Sequence, residues 1–258
     1  MLKGLKLCNN GKAVICYVED FSDELKSEIR NQLSQIYNGF FIVDEDPSFY
    51  SYKYTLDLFL NEFDKKSSNI KKGMIGELLS HILLNLLSTK LSSISVYKNK
   101  EENSIKKGFD IVYYDKNNDS LWYTEVKSGK GKSAQYNNVL LNRSKVGIST
   151  MLQSKRQKLW DSALIDLQLV IKNGIDQRKI KTLLKKDSPV SATSNDKKNV
   201  ILISVLYYDV KDMILLKSVE DFCTKTIKSN LFNDVIVFSI QKNTYSKVIA
   251  FLKKEAKI

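Results

Sequence analysis

Apolar positions change spacing several times along this chain, and each change marks an expected element. Residues 13–18, Ala-Val-Ile-Cys-Tyr-Val, form a continuous apolar run that predicts a strand over 12–18. Ser22 or Asp20 can cap the helix that follows, where Leu25, Ile29, Leu33 and Ile36 recur at helical spacing. Asp44-Glu45-Asp46-Pro47 breaks the chain after Phe40-Phe41-Ile42-Val43, and a short aromatic helix is expected over 52–63. After the polar stretch 65–69 the pattern predicts a strong helix over 71–88. Ile75, Leu78, Leu79, Ile82, Leu83 and Leu86 make one wide face, with Glu77 and His81 on the opposite, polar sector. A strand is expected at 94–97, a helix over 149–167 with Lys155, Arg156 and Lys158 exposed, and a second basic helix over 176–186. A loop over 187–199, a buried strand over 200–206, a helix near 219–229, a strand at 235–240 and a helix at 245–254 complete an α/β pattern without internal repeats.

The stretch 108–128 carries the candidate chemistry. Two β-branched and aromatic runs, Ile111-Val112-Tyr113-Tyr114 and Leu121-Trp122-Tyr123-Thr124, flank the turn-forming residues 115–120, a hairpin signal. A hairpin symmetric about Asn117-Asn118 sets Asp110 opposite Glu125, with Cβ atoms about 5 Å apart. Lys127, two residues on from Glu125, shares their face. Apposed carboxylates raise each other's pKa unless a cation lies between them. A hard divalent ion such as magnesium takes oxygen ligands and keeps several waters, so Asp110, Glu125 and the backbone carbonyl of Val126 suffice as a candidate ligand set. Lys127 is then placed to orient a water or to stabilise charge on a phosphate. An ordinary amphipathic hairpin with surface charges is the open alternative.

Composition narrows the setting. The 258 residues are 43% hydrophobic with two prolines, which predicts a folded chain. No apolar run reaches the ~18 residues of a membrane span, no secretory leader is recognisable, and Cys8, Cys16 and Cys223 are too widely spaced for a metal pattern, so a cytoplasmic protein with reduced thiols is expected. The net charge of +12 is uneven: residues 1–64 hold eleven acids and six bases, a net of −5, and the remainder carries +17. The basic part suits a polyanion such as DNA. The acidic part argues for protein contact, with Glu24 and Glu28 on the helix over 23–36 as candidate docking residues. Only four of the 41 basic residues are arginine, which favours phosphate contacts over base reading. Ser128-Gly129-Lys130-Gly131-Lys132-Ser133 mimics the tail of a phosphate-binding loop, but Val126 stands where its first glycine belongs; a basic loop beside the carboxylates is expected instead.

The pattern Asp110, fourteen residues, Glu125-Val126-Lys127 resembles the signature of the PD-(D/E)xK nuclease superfamily. Phe109 stands where many members have a proline. The resemblance implies that Asp110 and Glu125 bind the metal and that Lys127 assists attack by water. It also implies that Glu77, the one acid on its helix, supports an ion, and that Gln153 or Gln157 lies near a supporting polar position. Through Gly73-Met74-Ile75-Gly76-Glu77-Leu78-Leu79, Gly108-Phe109-Asp110 and Glu125-Val126-Lys127-Ser128, the chain more narrowly resembles HamA, the nuclease subunit of Hachiman anti-phage systems.

These resemblances imply a restriction-endonuclease-like α/β core, a mixed sheet flanked by helices, with N- and C-terminal additions. The expected division is an acidic partner-binding segment over 1–64 and a nuclease domain with a C-terminal extension over 65–258. The implied activity is a Mg2+-dependent deoxyribonuclease of low sequence specificity, with Mn2+ able to substitute and a HamB-like helicase as partner. A catalytically silent nucleic-acid-binding subunit and a stand-alone restriction endonuclease are the alternatives. His81, the single histidine, is expected to fill or border the cleft rather than to bind metal.

Overall fold

In chain order the elements are strands β1 (Leu5–Asn10) and β2 (Ala13–Val18), then helices α1 (Asp23–Asn38), α2 (Phe40–Glu45), α3 (Tyr52–Asp64) and α4 (Ser68–Leu87). Strands β3 (Leu91–Ser93), β4 (Ile111–Asp115) and β5 (Ser120–Lys130) follow, then helices α5 (Tyr136–Gln153), α6 (Gln157–Val170) and α7 (Ile175–Asp187). The chain closes with β6 (Asn199–Tyr207), α8 (Leu216–Lys228), β7 (Asp234–Lys242) and α9 (Tyr245–Glu255). This computed structural model describes residues 2–88, 90–98, 108–191 and 196–257; parts of the expected connection 98–107 and of the expected loop 187–199 lie outside the described residues.

Among the described residues seven strands form one mixed sheet in the order β1-β2-β7-β6-β5-β4-β3. Strands β2, β7, β6 and β5 are mutually parallel, and the β1–β2, β4–β5 and β3–β4 pairs are antiparallel. Buried side chains of α1, α3, α4 and α9 share one core with Val126, Ile203 and Phe238 on one sheet face. Side chains of α5, α6, α7 and α8 share the second core with Tyr123, Leu202 and Val237 on the other. The sheet with helices on both faces is the restriction-endonuclease-like core expected from the sequence. No helix among the described residues is long and apolar enough to cross a membrane. Residue 64, the expected domain boundary, falls at the end of α3, while residues on both sides of it share this sheet and core.

Several elements differ from the sequence expectation. Strand β1 was not expected; it pairs with β2 along its whole length. The third strand lies at Leu91–Ser93, ahead of the expected 94–97, where the chain continues without strand pairing apart from the Ile94 N–H donating to the Val112 carbonyl. The expected helix over 149–167 is two helices. The Ser154 hydroxyl donates to the Met151 carbonyl at 2.7 Å, and Arg156 has an extended backbone, so the helical ladder stops there. The expected basic loop over 128–133 is instead strand as far as Lys130, because β6 supplies a parallel partner for each residue up to that point. Helix α4 buries His81 as well as its leucines, since it is covered by the sheet on one side and by α1 and α3 on the other.

Helix α4 also crosses β5 very closely. A Cβ at Gly76 would lie 1.8 Å from the Ser128 hydroxyl and 2.9 Å from its Cβ, whereas one at Gly73 would meet nothing within 4 Å. Gly76→Ala therefore forces α4 off the strand, at a cost of about 2 kcal/mol or a fall in Tm of about 4–8 °C. Gly73→Ala gains up to about 1 kcal/mol from helix propensity alone. Melting curves of the two variants compare them directly; equal Tm values would contradict the close crossing.

Candidate active site

Strand β5 pairs with β6 from Trp122 to Lys130 but with β4 only from Ser120 to Thr124. From Glu125 onward one edge of β5 has no neighbouring strand among the described residues, and this creates a notch. The hairpin register, Ile111 opposite Thr124, continues by one step to set Asp110 opposite Glu125. Asp110 lies just before β4, and its Oδ2 accepts the Val126 N–H at 2.7 Å. A side-chain oxygen thus occupies the acceptor position that a longer β4 would have filled. The N–H and carbonyl of a strand residue point to the same edge, so the Val126 carbonyl also faces the notch.

Side chains alternate along β5. Glu125 and Lys127 lie on the α5 face, and Val126 and Ser128 on the α4 face. Glu125 is only 6% exposed and forms an ion pair with the Lys127 ammonium, which is itself half-buried. Burial, and then the field of Asp110, push the Glu125 carboxyl up to about 8, with Lys127 opposing both. The Ser144 hydroxyl donates to the Glu125 carbonyl at 2.6 Å. One turn later, a Cβ at Gly147 would stand 2.8 Å from Glu125 Oε1, so α5 rests its backbone directly against the carboxylate. Neither residue was singled out from the sequence; the signal was a pair of small residues three apart on a helix facing the strand.

The structure therefore brings Asp110, Glu125, Val126 and Lys127 together as expected. Glu77 sits one residue from Gly76, where α4 touches Ser128 on the opposite sheet face from Glu125. Its charge acts on the buried Tyr97, whose hydroxyl is pushed up mainly by burial and then by Glu77. Among the described residues there is no group of three or more His, Cys, Asp or Glu side chains that could by themselves hold a metal ion. His81 is buried, 1% exposed, with its ring edge-on to Tyr97 at 6.4 Å. Gln157 donates to Asp161 on its own helix, and Gln153 lines a separate cavity with Lys155, Trp160 and Asp187.

A carboxyl whose pKa rises on folding holds its proton more tightly in the folded state. Between about 4.5 and about 8 the unfolded chain has lost the Glu125 proton while the folded chain keeps it, so the stability owed to this group falls as pH rises. Glu125→Gln removes the titration. Its Tm should match the wild type near pH 5 and exceed it at pH 8.5, measured as paired melts across that range. A constant difference would show that Glu125 ionises as freely as it does in water.

A family model described as HamA matches residues 5–256, from the first strand to the last helix. No curated protein matches the sequence. The match takes in every residue of the notch and both flanking glycines, Gly76 and Gly147, and the chain belongs to the HamA family.

Proposed function

We propose that this chain is a metal-dependent deoxyribonuclease that cleaves phosphodiester bonds with little sequence preference, working with a helicase in anti-phage defence. Membership of the HamA family makes it a defence protein of the Hachiman type. The observation that carries the catalytic reading is the opposed pair Asp110 and Glu125 with Lys127 at the bare edge of β5.

The donor set suits a hard divalent ion. Carboxylate oxygens of Asp110 and Glu125 and the Val126 carbonyl face one notch, and a buried carboxyl raised to about 8 is stabilised in its ionised form by a cation. Magnesium would be held there, with manganese as a substitute and Glu77 supporting from the α4 side. When bound, such an ion neutralises phosphate charge and lowers the pKa of water. The chain's own groups do the rest. Ser144 and Gly147 fix Glu125, the Val126 N–H fixes Asp110, and the Lys127 ammonium donates to the phosphate or to the attacking water. The lysine-rich remainder of the chain holds the DNA backbone without reading bases.

Lys127→Ala should reduce plasmid degradation in magnesium by at least about 100-fold in a protein that still folds and melts cooperatively, because its side chain reaches the surface of the notch. Full activity in the folded variant would remove Lys127 from the mechanism. Independently of turnover, magnesium at pH 8 should raise the Tm of the wild type and not that of Glu125→Gln. An equal rise in both proteins would place the ion elsewhere. Affinity for unrelated duplexes should fall together as salt increases; strong preference for one short sequence would favour a stand-alone restriction enzyme.

A further inference from the structure

We propose that the turn between α2 and α3, with the rings of Phe49, Tyr50 and Tyr54, is the docking surface for a protein partner that presents a basic face, the second protein of the Hachiman system. This inference rests on the family assignment and does not depend on the cleavage reading.

The charge of the first 64 residues is not spread along them. Residues 1–39 carry five acids and five bases, while residues 40–64 carry six acids and one base, Lys53. The whole −5 therefore belongs to α2, α3 and the turn between them. The residues earlier expected to dock, Glu24 and Glu28, lie on α1, where Asp23 pairs with Lys26, Arg30 pairs with Glu255 and Glu28 accepts from Gln32. Over residues 1–39 the acids are thus matched in number by cations, two of which, Lys26 and Arg30, lie on α1 itself.

The α2–α3 turn differs. Phe49 is 57% exposed and Tyr54 is 42% exposed. The Phe49 ring lies 4.9 Å from Tyr50 and 5.5 Å from Tyr54, so the three make one continuous aromatic patch rather than scattered surface residues. The exposed acids Asp44, Glu45 and Asp46 border it. Asp46 also builds the turn: its carboxylate accepts the Phe49 N–H at 3.0 Å and the Ser48 hydroxyl at 2.9 Å, which holds it below the usual carboxylate range. Pro47 stiffens the same turn. A phenyl ring held out on a fixed turn loses little freedom on binding, as an interface anchor requires. Asp44 and Glu45 also line a cleft of about 1080 Å3 with Phe40 and Phe41, and its far wall is mixed in charge, with Lys116, Lys172 and Asp176. A lysine or arginine of the partner can enter on the acidic side.

Charge decides the class of partner. Exposed aromatics also stack bases, but among the described residues the turn itself sets the exposed acids Asp44, Glu45 and Asp46 beside the rings against Lys53 and Lys98, the latter 5.9 Å over the Tyr50 ring, while Lys116 and Lys172 stand on other elements across the cleft. A phosphate backbone is repelled by that balance, whereas a basic protein surface is drawn to it and gains cation–π contacts with the rings.

The test compares the full chain with two variants, Phe49→Ala/Tyr54→Ala and Asp44→Lys/Glu45→Lys, all in a Lys127→Ala background so that cleavage does not enter. Affinity for the purified Hachiman partner from the same genome is measured across a salt series. Each variant should lose at least about tenfold. The charge reversal should also flatten the salt dependence, and Tm should stay within about 2 °C because the altered side chains are exposed. Wild-type affinity for the partner in both variants would overturn the proposal. So would a selective loss of single-stranded oligonucleotide binding, which would make the patch a stacking platform, or a loss of self-association seen by light scattering, which would make the occupant a second copy of this chain.

Discussion

Strand β5 changes its surroundings halfway along, and most of the molecule follows from that change. Up to Thr124 it is an interior strand, hydrogen-bonded on both sides; from Glu125 its one strand neighbour among the described residues is β6. An interior strand that suddenly loses a neighbour leaves backbone groups that need partners. Asp110 supplies one through its carboxylate on Val126. The hairpin thus ends in a charged group because the ladder ends there, and the acid is fixed by the backbone it satisfies.

The same strand is clamped by two helices with no side chain between backbone and strand. Gly76 brings α4 onto Ser128, and Gly147 brings α5 onto the Glu125 carboxylate. Clamping excludes water from Glu125 and so raises its proton affinity, which is unfavourable for an isolated carboxylate. Lys127 relieves part of that cost. Two helices, one strand and one loop acid therefore generate a site that holds its charges under tension, the condition in which a bound cation has most effect.

How far the sequence could be read follows from the range of the forces involved. The hairpin register was legible, since the turn composition and the two β-branched runs fix it locally, and with it came the juxtaposition of Asp110, Glu125 and Lys127. The helix α4 was legible from its apolar spacing, but the burial of His81 was not, because that depends on α1 and α3 arriving from elsewhere. The reach of β5 through Gly129 was hidden for the same reason: glycine and lysine read as loop until a parallel partner 77 positions along, Leu206, is known to lie beside them. Ser144 and Gly147 carry no motif at all, and only the packing of α5 shows what they do.

The parallel pairing of β2 with β7 sets an order on how the molecule is made. Ala13 lies beside Val237, so strands that begin the chain wait for strands that end it. During synthesis the β1–β2 hairpin leaves the ribosome with one open edge and finds its sheet partner only after β7 has emerged. A pairing that distant is slow to close. An interrupted translation product holds Asp110, Glu125 and Lys127 but lacks the strand that joins its two ends. In a cell, β1 and β2 join the sheet that carries the notch only after β7 has been made.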